Sequence, residues 1–354
     1  MAEDQMIVEV AERSFRALLS PQVREGVLLG QFPDDLWQRL EEAGLVAAAV
    51  SEARGGLNLW LRDCCAIAKM AGRFAAPVPL VESFLAEAML AEAHLKPASG
   101  IAVILPPFNH GSITLHRSNG QAFLNGSVKH IPWLSQASHL VAIALEDQKP
   151  VTLCIPGPFK AQSSENVAGE PTGAVVFRDA AISEDHIGKA GRGFDPLALH
   201  TRGALFRCAQ MIGAMQAVLD MTTSYAKERT QFGRPIGKFQ AVQQQIAMMA
   251  SDIVAADCAF GAAVEAAQAG QGSFEIAVAK SRFGKAVDLA VDVSHQIHGA
   301  IGTTREFPLH HYTMRLAMWR NEFGTPHEWS ERIGEIVCRL GGDRLWPYLT
   351  AKVR

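Results

Sequence analysis

After Phe194 the apolar residues settle into one spacing and keep it: Leu205, Cys208, Ile212, Met215 and Leu219; then Val242, Ile246, Met249, Ile253 and Phe260; then Ile276, Ala279, Phe283 and Ala290. Steps of three and four place each set on one face of a helix. Long helices with narrow apolar stripes can bury them only against one another, so this half of the chain must be a helical bundle. A final helix is predicted from about Glu328 to Leu340, with Trp329, Ile333 and Ile336 on one face.

Upstream the pattern changes twice. From Met6 to about Leu95 the spacing is again helical, as in Leu36, Leu40, Leu45 and Val46, and Ser51-Glu52-Ala53-Arg54-Gly55-Gly56-Leu57 interrupts it as a turn, because paired glycines extend a helix poorly. Between about Gly100 and Gly188 lie short β-rich runs: Ile101–Leu105, Ser112–Leu115, Leu140–Leu145, Val151–Ile155 and Ala174–Phe177. Asn125-Gly126 reads as a tight turn within them. The predicted fold is α+β and mainly α: N-terminal helices over 1–99, a small middle β domain over 100–190, and a C-terminal four-helix bundle over 191–354.

Composition narrows the function classes. The 354 residues are 48% hydrophobic, enough for two or three structural units. The 33 lysines and arginines against 36 acids leave a net charge of -3, with no long-range field to hold nucleic acid or anionic lipid. Met1-Ala2-Glu3-Asp4 lacks the basic and apolar regions of a secretory signal, and no apolar run approaches ~18 residues, so the expectation is a cytoplasmic protein without membrane contact. Six scattered cysteines, Cys64, Cys65, Cys154, Cys208, Cys258 and Cys338, form no CxxC pair and read as buried free thiols.

Two segments carry candidate chemistry. Tyr225-Ala226-Lys227-Glu228-Arg229-Thr230-Gln231-Phe232-Gly233-Arg234-Pro235-Ile236-Gly237 joins two long helices, and its arginine, glutamine and aromatic ring suit a phosphate beside a flat ring. An ordinary polar helix end would look similar. His295-Gln296-Ile297-His298-Gly299-Ala300-Ile301-Gly302-Thr303-Thr304 puts small residues after a helix, where free N–H groups can hold a pyrophosphate or simply cap the helix. His295, His298, His310 and His311 invite a zinc reading, but no carboxylate or cysteine completes a ligand set at helical spacing. No Gly-x-Ser-x-Gly elbow, Walker loop or Rossmann fingerprint is present.

These residues resemble the acyl-CoA dehydrogenase family over nearly the whole chain. Arg229-Thr230-Gln231-Phe232-Gly233-Arg234-Pro235-Ile236, followed by Phe239-Gln240-Ala241-Val242-Gln243, matches the family's most characteristic stretch. Leu45-Val46 through Gly55-Gly56, Leu124-Asn125-Gly126, Gln296-Ile297-His298-Gly299-Ala300-Ile301-Gly302 and Glu306-Phe307-Pro308-Leu309 match in order. The resemblance implies α,β-dehydrogenation of an acyl-CoA thioester, with FAD as cofactor lying between the β domain of one subunit and the bundle of its neighbour. It assigns Arg229, Gln231, Phe232, Gln296, His298, Gly299 and Gly302 to the ADP half of the neighbour's FAD, with Ala300 replacing the family's second glycine.

The same resemblance exposes departures. The family's catalytic glutamate precedes a Gly-Thr, but here Asn321-Glu322-Phe323-Gly324-Thr325-Pro326 puts Phe323 at the base position and Glu322 one residue early. On a helix that shift turns the side chain by about a hundred degrees, away from where the base must be, while a looped backbone there would rescue it. Where some members carry the base on the first bundle helix, this chain reads Arg202-Gly203-Ala204-Leu205, with no acid. The family's Trp-Ile-Thr flavin segment is His130-Ile131-Pro132-Trp133, and Pro132 has no N–H to donate. The flavin and substrate loop is reduced to Leu105-Pro106-Pro107-Phe108-Asn109-His110-Gly111-Ser112. The pattern resembles the smaller, base-lacking subunit of heteromeric α2β2 acyl-CoA dehydrogenases linked to sterol side chains, implying a homologous catalytic partner and an electron acceptor. Two alternatives are a self-sufficient homo-oligomer using Glu322 and a non-enzymatic scaffold of the same fold.

Overall fold

A computed structural model describes residues 2–106, 111–159, 162–191 and 195–351 of the chain. Its helices and strands follow the order helical, β-rich, helical. Contacts gather the residues into two compact units, Met1–Ala214 and Met215–Arg354.

The first unit opens with α1 (Ala2–Leu18), α2 (Pro21–Leu28), α3 (Asp34–Glu42), α4 (Leu61–Arg73) and α5 (Leu80–Glu92). The interruption between α3 and α4 is the turn expected at 51–57: Gly55 takes φ 84°, and a Cβ on Gly56 would collide with the carbonyl oxygens of Ala47 and Val50. The sheet follows, as β1 (Ala102–Ile104), β2 (Gly111–Ser118), β3 (Gln121–Pro132), β4 (His139–Glu146), β5 (Lys149–Pro156), β6 (Gln162–Glu165), β7 (Pro171–Ile182) and β8 (Ile187–Lys189). Its order is β6-β7-β3-β2-β4-β5-β8, with β1 parallel to β4. Val103, Leu115, Leu124, Ile131, Leu140 and Leu153 fill its core.

The turn expected at Asn125-Gly126 lies elsewhere. The β2–β3 hairpin turns at Asn119-Gly120, both with positive φ, while Asn125-Gly126 sits inside β3 at a register shift against β7. Two Asn-Gly pairs compete for one turn, and the second forms a bulge because Asn125 is tied across the sheet: its amide donates to Asp179 at 2.8 Å, and its side-chain oxygen accepts the Asp179 N–H at 2.9 Å.

The long helix α6 (Pro196–Glu228) enters this unit with its N-terminal half. Its backbone touches that of α4 through two glycines: a Cβ on Gly72 would meet the Gln210 carbonyl, and one on Gly213 the Lys69 carbonyl. Between α5 and α6 lies a buried ion pair, Glu82 with Arg207, which also donates to Gln210. Phe84 and Phe206 meet edge to face beside it at 5.7 Å.

The second unit is built on α7 (Gln240–Gln268), α8 (Ser273–His298), α9 (Leu309–Trp319) and α10 (Pro326–Leu340), together with the end of α6. Beyond the helix expected to be last comes α11 (Gly342–Ala351). Gly341-Gly342 and Pro347 hide it in the sequence, but Tyr348 anchors it edge-on to Phe274 of α8 at 5.3 Å. By length and composition alone α7 is long and apolar enough to cross a membrane, against the expectation from the sequence. Its aspartates are paired within the unit: Asp252 with Arg282, and Asp257 with Gln216 at 3.2 Å. Of the cysteines, Cys64, Cys65, Cys154 and Cys208 are buried, and burial pushes the Cys64 thiol up to about 12; Cys258 and Cys338 are exposed, against expectation, because they lie on the outer faces of α7 and α10.

Removing one partner of the buried pair strands the other charge. Glu82→Ala is therefore expected to cost about 3–5 kcal/mol in chemical denaturation, while Glu82→Leu with Arg207→Met stays near wild type. Equal losses from both variants would show that packing, not charge, matters there.

Candidate functional site

The loop after α6 is a two-residue hairpin. The Arg229 N–H continues the helix by donating to the Tyr225 carbonyl at 2.8 Å, and the Ile236 N–H returns to the Arg229 carbonyl at 2.8 Å. Between them β9 (Thr230–Gln231) pairs with β10 (Arg234–Pro235). The tip residues Phe232 and Gly233 take φ 53° and 77°, both positive as a tight hairpin of this hand requires. Glycine accepts that freely, but for Phe232 it costs on the order of 1–2 kcal/mol.

Phe232 is 91% exposed, and Arg229 and Gln231 are exposed beside it. The Arg234 guanidinium lies over the Phe239 ring at 4.2 Å, with Phe232 edge-on to the same ring at 6.2 Å. The hairpin thus offers an apolar ring, a guanidinium and an amide on one exposed face.

The second segment ends α8. Gly299 takes φ 61° and ψ −143°, a conformation open only to glycine, and a Cβ there would meet nothing within 4 Å. Its backbone is thus approachable, and Gln296 in the last helical turn is exposed. Gly302 is buried, and a Cβ on it would press on His298 and Leu309 at 3.1 Å. The chain needs glycine at 299 for conformation and at 302 for space.

His298 stands differently from the other assigned residues. It is 4% exposed, stacked on Tyr225 with ring centroids 4.5 Å apart and tilted against Phe307 at 4.8 Å. Its Nδ1–H donates to the Ser294 carbonyl at 2.8 Å, which leaves Nε2 as a bare acceptor with no partner. Tyr225 Oη donates to the His298 carbonyl at 3.4 Å. The hairpin and the glycine turn are thereby joined through Tyr225, a residue sequence reasoning quoted but did not single out. Its position four residues before Arg229, one helical turn below the hairpin, was the available signal.

The other histidines gather nearby. His295 Nε2 lies 3.0 Å from Thr313 Oγ1, and His310 Nδ1 donates to the Phe307 carbonyl at 2.9 Å. Burial holds His298 and His295 below the usual imidazole range; a neighbouring imidazole, His295 and His310 respectively, adds to it. Among the described residues no three His, Cys, Asp or Glu side chains converge on a metal position.

The segment at the expected base position is not helical. Residues 321–324 form a turn between α9 and α10, with Phe323 at φ 52° and Gly324 at φ 93°. The Phe323 carbonyl accepts the Trp329 indole N–H at 2.9 Å, and Thr325 caps α10 in a reciprocal box with Glu328. The hundred-degree helical rotation expected between Glu322 and Phe323 therefore does not apply, because residues 321–324 are not helical. Glu322 and Phe323 are half-buried.

In the first unit, Gly203, Ala204 and Leu205 are buried along α6, and Arg202 pairs with Glu92 at 3.3 Å. At the end of β3, His130 and Trp133 both carry positive φ, and the buried Trp133 donates its N–H to the Pro171 carbonyl at 2.7 Å. Pro107, Phe108, Asn109 and His110 of the reduced loop lie outside the described residues.

Comparison with known proteins gives consistent matches. The acyl-CoA dehydrogenase C-terminal domain matches residues 198–327, and the acyl-CoA dehydrogenase N-terminal domain residues 1–95. Acyl-CoA dehydrogenase IpdE2 of Mycolicibacterium smegmatis is 29% identical over 307 residues, 86% of this chain and 88% of its own. Among solved structures, the ChsE4-ChsE5 complex from Mycobacterium tuberculosis superposes with a TM-score of 0.86 at 21% identity, covering 94% of this chain and 96% of that one. The Tcur3481-Tcur3483 steroid ACAD G363A variant gives 0.84 at 24%, covering 96% and 98%. At these identities the structural likeness speaks for the fold.

Because a side chain at 299 would meet open space, the cost of Gly299→Ala is conformational alone. A loss of about 1–3 kcal/mol in denaturant unfolding is expected. No change would mean that the turn relaxes without glycine.

Proposed function

The chain belongs to the acyl-CoA dehydrogenase family of oxidoreductases, and on that premise we propose that it completes the FAD site of a homologous catalytic subunit. The observation that carries this reading is the outward-facing hairpin: Phe232, strained and 91% exposed, presents Arg229 and Gln231 away from its own unit. A dinucleotide fits there. The Arg229 guanidinium suits its diphosphate, Phe232 offers apolar area to its flat ring, and the open backbone at Gly299 lets it approach. Gln231 and Gln296 can satisfy its polar edges.

Bound FAD supplies the hydride acceptor for α,β-dehydrogenation of an acyl-CoA. In this reading the base belongs to the partner, since Phe323 holds the position where the family places a glutamate and Gly203 to Leu205 carry no acid. Pro132, lacking an N–H, weakens the chain's own flavin face. The likeness to a ChsE4-ChsE5 complex and to a steroid ACAD favours an α2β2 tetramer acting on a bulky sterol-type acyl group. Cysteines without disulfides fit a reducing cytoplasm, with electrons passed on to a separate acceptor.

A second reading has one observation in its favour. The turn at 321–324 frees Glu322 from helical register, so a homo-oligomer using Glu322 as base is its competitor. A scaffold without cofactor leaves the strain at Phe232 unexplained.

Purified alone, the chain should be flavin-poor and inactive; co-expressed with a genomically adjacent homologue, it should form a yellow, active complex of two chains each. A homogeneous preparation that is reduced by an acyl-CoA, and loses this on Glu322→Gln, would favour the competitor instead. In the assembled complex Arg229→Ala should weaken FAD binding by about 1.5–3 kcal/mol, the worth of a charge-assisted hydrogen bond, read by flavin fluorescence.

A further inference from the structure

We propose that His298 is a positioning residue, a pH-sensitive latch that holds the Arg229 hairpin and the Gly299 turn in register and lets go of the dinucleotide when its imidazole is protonated. The inference rests on the reading of these two segments as a dinucleotide grip.

The ring is placed for this role and not for touching a ligand. It is 4% exposed and lies between Tyr225 of α6 and Phe307 of the segment after the turn. Tyr225 carries the hairpin, since its carbonyl accepts the Arg229 N–H, and its hydroxyl donates to the His298 carbonyl. One imidazole is therefore the shared wall of two elements 73 residues apart in sequence.

Its hydrogen bonding leaves no room for a second proton. Nδ1–H is committed to the Ser294 carbonyl, so a proton added at Nε2 would be a buried donor, and Nε2 has no partner. The titratable groups around it are Tyr225 on α6 and His295 on α8, with Asp292 and His310 acting on His295. His295 Nδ1 and His310 Nε2 are likewise buried without partners. A cation at His298 would meet the neighbouring His295 imidazole, and the three-ring stack would open.

The sign follows from the direction of the shift. Burial lowers the folded imidazole below its unfolded value, so the latch is fully closed above the ordinary imidazole range and is lost as pH falls below it toward the folded value. Binding of one proton to the open form weakens cofactor affinity by up to about tenfold per pH unit in that window.

The test measures FAD affinity of the assembled complex by flavin fluorescence at pH 7 and pH 5. Wild type should bind more weakly at pH 5 than at pH 7, by at most about tenfold per pH unit. His298→Phe keeps an aromatic wall without a titrating group, and His298→Gln keeps a neutral donor for the Ser294 carbonyl; both should hold affinity within about twofold across the same range. Tyr225→Leu, which removes the stack, should weaken binding at pH 7 already. A wild-type pH slope in either folded His298 variant overturns the latch. Failure of the underlying reading looks different: Arg229→Ala would then leave FAD affinity unchanged at pH 7, whatever His298 does.

Discussion

The stack of Tyr225, His298 and Phe307 is the contact on which the candidate site depends. It fixes the end of α8 against the end of α6, and so sets where two otherwise separate glycine-bearing segments lie. The hairpin above it holds Phe232 exposed in a left-handed backbone, edge-on to Phe239. Strain at an exposed residue of this kind is a pointer to function.

The helical scaffold was legible because its periodicity is long and its stripes are narrow. The apolar spacings from Leu205 to Leu219, Val242 to Phe260 and Ile276 to Ala290 fall in α6, α7 and α8. What failed was local. Asn125-Gly126 looked like the hairpin turn, but cross-strand bonds to Asp179 make it a bulge, and Asn119-Gly120 does the turning. Helix α11 escaped because two glycines and an internal proline read as an end, while its docking through Tyr348 is a tertiary fact.

The candidate residues divide in the same way. Arg229, Gln231 and Phe232 could be singled out from their loop, but that Phe232 stands outward in a left-handed backbone is visible only in three dimensions. His298 was assigned with its neighbours on the glycine turn, yet its side chain points inward, since helical geometry turns it a different way from Gln296. At position 323 the sequence reads phenylalanine where the resemblance implies a glutamate. It could not show that a positive φ replaces the helix there, which is why the angular argument about Glu322 had the wrong premise.

The central claim is that the Arg229 hairpin grips a dinucleotide whose reactive ring belongs to another polypeptide. A crystal or cryo-electron microscopy structure of the FAD-bound assembly measures it directly, through the distance from the Arg229 guanidinium to the FAD diphosphate. The account predicts hydrogen-bond contact, about 2.7–2.9 Å, with the flavin ring lying on a neighbouring chain. A hairpin facing only solvent, or a flavin held wholly within one chain, would contradict it.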